Sequence, residues 1–218
     1  MVIQKYPVLN YKKGRTDELG RKYKPEIIVL HIGEGTFGDI KRKHIKPTKN
    51  IFGQILSTFI HEEKSSHYCI KFNGDIAQFV NEEDTAWANG VVDKPTNKIV
   101  LSRNVNPNLF SISIEHEGSS RVDIEEAQYH ATVELVKDIC SRWNIPIDRE
   151  HIIKHQEIRI SKTCPGKIDV DKIIRLASQS VPIQPDIPTP IICDPKIIEE
   201  QKGLIAQLLS FISNYLKK

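Results

Sequence analysis

The residues best suited to chemistry lie in the run His155 to Gly166, His-Gln-Glu-Ile-Arg-Ile-Ser-Lys-Thr-Cys-Pro-Gly. With them goes one distant histidine, His31, at the end of the apolar run Ile27-Ile28-Val29-Leu30. Two imidazoles and one thiolate, His31, His155 and Cys164, make a ligand set for one zinc ion. Three such ligands leave the fourth tetrahedral position open to water, the arrangement of a hydrolytic rather than a structural zinc. On residue type alone, His151 competes with His155 for its place. A lone histidine at a strand end is more often a satisfied core residue, so the set gains its weight from the surrounding pattern.

The elements that must position these residues read as a mixed α/β chain. Ile27 to His31 reads as a short buried strand. Ile51 to His61 has apolar residues at helical spacing. Tyr68 to Phe72 and Ile76 to Val80 flank Asn73-Gly74, which predicts a hairpin closed by a tight two-residue turn. From Phe110 to Glu115, the residues Phe110, Ile112 and Ile114 alternate with Ser111, Ser113 and Glu115, which predicts a half-buried strand with Glu115 on its exposed face. Asp123 to Trp143 reads as a long helix stopped by Asn144 and Pro146, Ile152 and Ile153 begin a strand, and Asp169 to Ser178 reads as a last helix. Cys69 and Cys140 read as core.

Residues 1–180 therefore form the expected catalytic domain. Five prolines between Pro182 and Pro195 make 181–195 a stiff connector. Residues 196–218 follow as an amphipathic helix with a roughly heptad stripe, suited to self-association, to contact with a wall or membrane surface, or to packing back onto the domain.

Composition narrows the function classes. Thirty-one Lys and Arg against 28 Asp and Glu give a formal charge of +3, a mild excess that does not call for nucleic acid. Four widely spaced cysteines lack the density of a small secreted disulfide scaffold. The first residues lack the apolar stretch and cleavage site of a signal peptide, so a cytoplasmic protein is expected.

The blocks Ile28 to Thr36, Ser65-Ser66-His67-Tyr68, Asn73 to Val80, Asp84 to Trp87, Ile112 to Gly118 and Lys154 to Gly166 occur in an order that resembles the type 2 N-acetylmuramoyl-L-alanine amidases. That family includes phage endolysin domains and peptidoglycan recognition proteins. The resemblance covers about residues 25 to 175 and implies a single mixed central β-sheet flanked by helices. It also implies one zinc ion and hydrolysis of the amide between N-acetylmuramic acid and L-alanine in bacterial peptidoglycan. Carried over by position, His31, His155 and Cys164 would be the ligands, with the Lys154-His155-Gln-Glu-Ile block selecting His155 over His151. Glu115 would be the catalytic glutamate and Lys162 the catalytic lysine, while Trp87, Asn89 and Thr36 would bind substrate.

Elementary chemistry suits those roles. A carboxylate could take a proton from water and return it to the leaving nitrogen. An ammonium near Cys164 would favour its thiolate and face a developing oxyanion. The chain departs from the family pattern at Ser66, where a tyrosine is common, so more of the mechanism falls on Glu115. It departs again at Trp87-Ala88-Asn89-Gly90, where Trp-His-Ala-Gly is common and Asn89 would supply the polar contact. His67 is expected to support the sheet rather than bind metal.

The absent signal segment, the tail and these blocks favour a phage or prophage endolysin, held in the host cytoplasm until it reaches the wall. The alternatives are a non-catalytic peptidoglycan-recognition protein and a cytosolic amidase that recycles muropeptides.

Overall fold

In a computed structural model of the 218-residue chain, the described residues are 1–34 and 50–179. The expected connector and terminal helix, and Thr36, lie outside them.

The strands are β1 Ile3–Lys5, β2 Tyr11–Lys12, β3 Ile27–Leu30, β4 Gly33–Glu34, β5 Tyr68–Ile70, β6 Ile76–Gln78, β7 Thr85–Ala86, β8 Ser111–Gly118 and β9 Ile152–Lys154. The helices are α1 Ile51–His61, α2 Lys98–Arg103, α3 Glu126–Trp143 and α4 Val170–Ser178. The main sheet runs β1-β6-β5-β8-β3-β9, with β4 added to β8, and β2 pairs separately with β7. Only β5 and β6 pair antiparallel in the main sheet, so it is mixed as expected.

All four residues of β3 are fully buried, because β3 lies between β8 and β9 and both faces of the sheet are covered. On one face Ile28, Leu30, Ile112, Ile114 and Ile152 pack with Val136 and Ile139 of α3 and Ile173 of α4. Burying each such side chain contributes about 1.5–3 kcal/mol. The other face carries two smaller clusters. One joins Ile51, Ile55 and Phe59 of α1 to Cys69 and Phe79, and the other joins Ile27 and Val29 to Val100, Phe110 and Ile153.

This double covering overturns two expectations. The strand β8 is not half-buried: Ser111 and Ser113 are as buried as Ile112 and Ile114, and Glu115 is only partly exposed. Phe110, expected beside Ile112, belongs to the opposite cluster, since it caps a short 3-10 turn at Pro107–Leu109 instead of continuing the strand's alternation.

The hairpin also closes differently from the expected two-residue turn. The Gly74 N–H donates to the Lys71 carbonyl at 2.8 Å, the Lys71 N–H donates to the Asp75 carbonyl at 2.9 Å, and Ile70 pairs with Ile76. Three residues, Phe72 to Gly74, thus form the loop. Gly74 takes the left-handed angle, φ 85°, that such a loop places at its last position.

Helix ends follow local chemistry. The Asn50 side chain accepts from the Gly53 N–H at the start of α1, and Asp169 accepts from the Lys172 N–H at the start of α4. Helix α3 begins at Glu126, three residues later than expected. Glu125 and Gln128 form a capping box there, and Asp123 instead accepts a hydrogen bond from the Tyr129 hydroxyl. Asn144 ends α3 in the left-handed conformation, φ 54°.

Candidate active site

Strands β3, β8 and β9 are adjacent and parallel, so their carboxyl ends lie on one edge of the sheet. His31 directly follows β3, His155 directly follows β9, and Glu115 lies in the last half of β8. Ligand sites of open parallel sheets form at this edge. The third group arrives on the loop before α4, where the Gln156 N–H donates to the Cys164 carbonyl at 3.0 Å. Gly166 lets this loop close down. Its φ is 68°, and a Cβ there would lie 2.3 Å from Ser120 Cα.

His31, His155 and Cys164 offer ligand atoms within 4.8 Å of one another, the one such grouping among the described residues. The two imidazole centroids are 4.5 Å apart. His151 is not part of the cradle: it pairs locally with Asp148 at 2.7 Å. His67 is not part of it either, since its Nδ1 accepts from the Ser113 N–H at 3.0 Å and it braces the sheet.

The donor set fits a zinc ion. Burial lowers the His155 pKa to about 4 and pushes that of His31 well below the usual histidine range, so both rings stay neutral, as ligands must. The Ile32 N–H donates to Cys164 Sγ at 3.1 Å, a contact that favours a thiolate. His155 Nε2 lies 3.0 Å from the Asn89 carbonyl, to which it must donate, which leaves Nδ1 facing the cradle.

Glu115 corrects the expectation of an exposed carboxylate. Its Oε2 is buried without a hydrogen-bond partner. Burial pushes its pKa up to about 7, with the Lys162 ammonium pulling against that rise. The same ammonium opposes protonation of His31 and His155, so exposed Lys162 is electrostatically coupled to both histidines and to the carboxylate.

Glu115 makes the stability of the fold depend on pH. The folded state holds its proton up to about pH 7, whereas the unfolded chain releases it near pH 4.5. Wild-type stability therefore falls as pH rises through that window. In the metal-free protein, Glu115→Gln should be the more stable form at pH 8 by up to about 3 kcal/mol, and the advantage should vanish by pH 4. Thermal unfolding across pH checks this. Equal melting temperatures at pH 8 would mean that the carboxylate is well solvated.

Of the other expected site residues, Trp87 is half-buried on the wall of a cavity of about 580 Å³ that Lys12, Asp17, Arg21 and Asn106 also line. Asn89 is 0 % exposed, so it lies behind the imidazoles and does not face a groove.

The sequence reading missed two supporting residues. His116 is buried with its Nδ1 2.8 Å from the His31 carbonyl and its Nε2 2.9 Å from Thr132 Oγ1, which ties the first ligand's backbone to α3. Arg15 is buried and donates to the carbonyls of Glu82, Asn108, Leu109 and Ser111. No spacing in the sequence marks Arg15, because its partners lie 52 to 96 residues away.

Comparisons with known proteins bear on the family and the fold. The family model described as N-acetylmuramoyl-L-alanine amidase matches residues 21–167. The 1,6-anhydro-N-acetylmuramyl-L-alanine amidase AmpD of Haemophilus influenzae is 34% identical over 94 residues, a match spanning 43% of this chain and about half, 47%, of that relative. Among solved structures, a selenomethionine AmpD derivative has a TM-score of 0.59 at 23% identity, covering 81% of this chain and 94% of that one. PlyL has a TM-score of 0.54 at 24% identity, covering 83% and 100%. These two share the fold. With its family match running from before β3 to the loop that carries Cys164, the chain belongs to the N-acetylmuramoyl-L-alanine amidase family.

Proposed function

We propose that the chain is a zinc-dependent amidase that hydrolyses the bond between N-acetylmuramic acid and L-alanine in bacterial peptidoglycan. The observation that carries this reading is the convergence of two neutral imidazoles and a sulfur within 4.8 Å, with the buried Glu115 carboxyl on the adjacent strand β8. His31, His155 and Cys164 would hold the ion. Bound there, zinc supplies a Lewis acid for the amide carbonyl and for the attacking water.

The chain's own groups do the rest. Glu115 takes a proton from the water and returns it to the alanine nitrogen, acting first as general base and then as general acid. A C–O bond forms and the C–N bond breaks, leaving a lactyl carboxylate and a free amine. The Lys162 ammonium faces the carbonyl oxygen as negative charge builds there.

Two biological settings share this chemistry. The ordered blocks around His31 and Ser65 favour a phage or prophage endolysin, held in the host cytoplasm and then released to the wall. The 34% identity to a 1,6-anhydro-N-acetylmuramyl-L-alanine amidase favours the second setting, recycling of small muropeptides. Digestion of purified peptidoglycan and of anhydro-muropeptides, each with and without chelator, separates them by mass spectrometry. Release of stem peptides from intact wall supports the lytic reading. Cleavage of small anhydro-muropeptides alone overturns it in favour of recycling, and chelator-resistant cleavage of either substrate removes zinc from the mechanism.

A further inference from the structure

Asn89 is placed to serve both imidazoles of the cradle at once. Its backbone N–H donates to Asn108 Oδ1 at 3.0 Å and its Nδ2 donates to Ser111 Oγ at 2.9 Å, so the residue is fixed on two sides. Its carbonyl lies 3.0 Å from His155 Nε2. One polar atom remains: Asn89 Oδ1 is buried with no partner, and so is His31 Nε2. The carboxamide lies within side-chain hydrogen-bonding reach of the His31 ring. A buried acceptor and a buried ring nitrogen, neighbours and each otherwise unmatched, both carry the cost of an unmade hydrogen bond.

We propose that Asn89 is a positioning residue shared by the two metal-binding histidines: its carbonyl accepts from His155 Nε2–H and its side-chain Oδ1 accepts from His31 Nε2–H. Both rings are thereby held as the Nε2–H tautomer with Nδ1 free for the metal. This rests on the zinc reading above and deepens it. Full burial denies Asn89 a place in the substrate groove, the role its position first suggested. Outer-shell partners of this kind set ring orientation and ligand basicity, and losing one typically weakens metal affinity ten- to a hundredfold.

The test is Asn89→Ala, read by two measurements. The first is the ring ¹⁵N shifts of the histidines in the metal-free protein. Alanine keeps the carbonyl that serves His155 and removes the carboxamide, which serves His31 and is anchored on Ser111. The His31 signals should therefore move away from the Nε2–H tautomer while those of His155 stay. The second is zinc affinity by chelator competition, which should fall ten- to a hundredfold. Asn89→Asp, which keeps an acceptor at Oδ1, should restore the His31 tautomer, and it serves as the readout if the alanine variant fails to fold. Unchanged His31 shifts in Asn89→Ala overturn the proposal, as does an Asn89→Asp protein that fails to hold the Nε2–H form. A wild-type protein that takes up no zinc would instead sink the metal reading, while the metal-free shifts still decide the role of Asn89.

Discussion

Glu115→Gln should lower kcat by about a hundredfold to ten-thousandfold, the usual contribution of a general acid–base group, while the protein still binds one zinc per chain. Glutamine keeps the shape of the side chain and can neither take nor return a proton. Because Glu115 is outside the ligand cradle, metal content should not change. The wild-type kcat should rise with pH as the carboxyl ionises. A zinc ion brought beside Glu115 would add positive charge to that of Lys162 and draw this limb below the metal-free value of about 7. The measurement is steady-state kinetics on a soluble muropeptide, paired with elemental analysis of the same samples. A Glu115→Gln enzyme with wild-type kcat would remove the carboxylate from the mechanism.

Cys164→Ala and His155→Ala should fail differently, losing metal and turnover together. Each removes one of three ligands, so the loss of zinc affinity should exceed the ten- to hundredfold expected of an outer-shell change. The two are not equivalent in what they leave behind. Cys164→Ala leaves the Ile32 N–H without its acceptor, and His155→Ala leaves the Asn89 carbonyl without its donor. Metal content measured after dialysis against buffered zinc, alongside activity, gives the result. A Cys164→Ala protein with full zinc and full activity would show that the thiolate is no ligand.

Much of the fold was legible where local chemistry governs. The apolar spacing from Ile51 to His61 gave α1 to the residue, because Asn50 is a strong cap and the stripe matches the helical period. Ile27 to Leu30 read as a buried strand because no polar side chain interrupts it. The start of α3 was misplaced because Glu125 and Gln128 form a better cap than the earlier Asp123. The Asn73-Gly74 signal located the hairpin correctly but not its loop length, since the same glycine serves a two-residue turn and a three-residue loop that ends left-handed.

By itself the sequence determined the inventory of the site: two imidazoles, a thiol, a carboxyl and an ammonium, in an order that resembles one family. These are matters of residue type and succession along the chain. The tertiary structure decided what each group experiences. Alternation along β8 puts Glu115 on an open face, because one strand's pattern does not reveal that a second layer covers the other side of the sheet. The Trp87 to Gly90 block suggests a groove role for Asn89, yet its carbonyl meets His155 from 66 positions away. Which nitrogen of an imidazole is free, and whether a carboxyl is dry, depend on neighbours that come together only when β3, β8 and β9 lie side by side. Those contacts are set by long-range packing, and no local pattern in the chain encodes them.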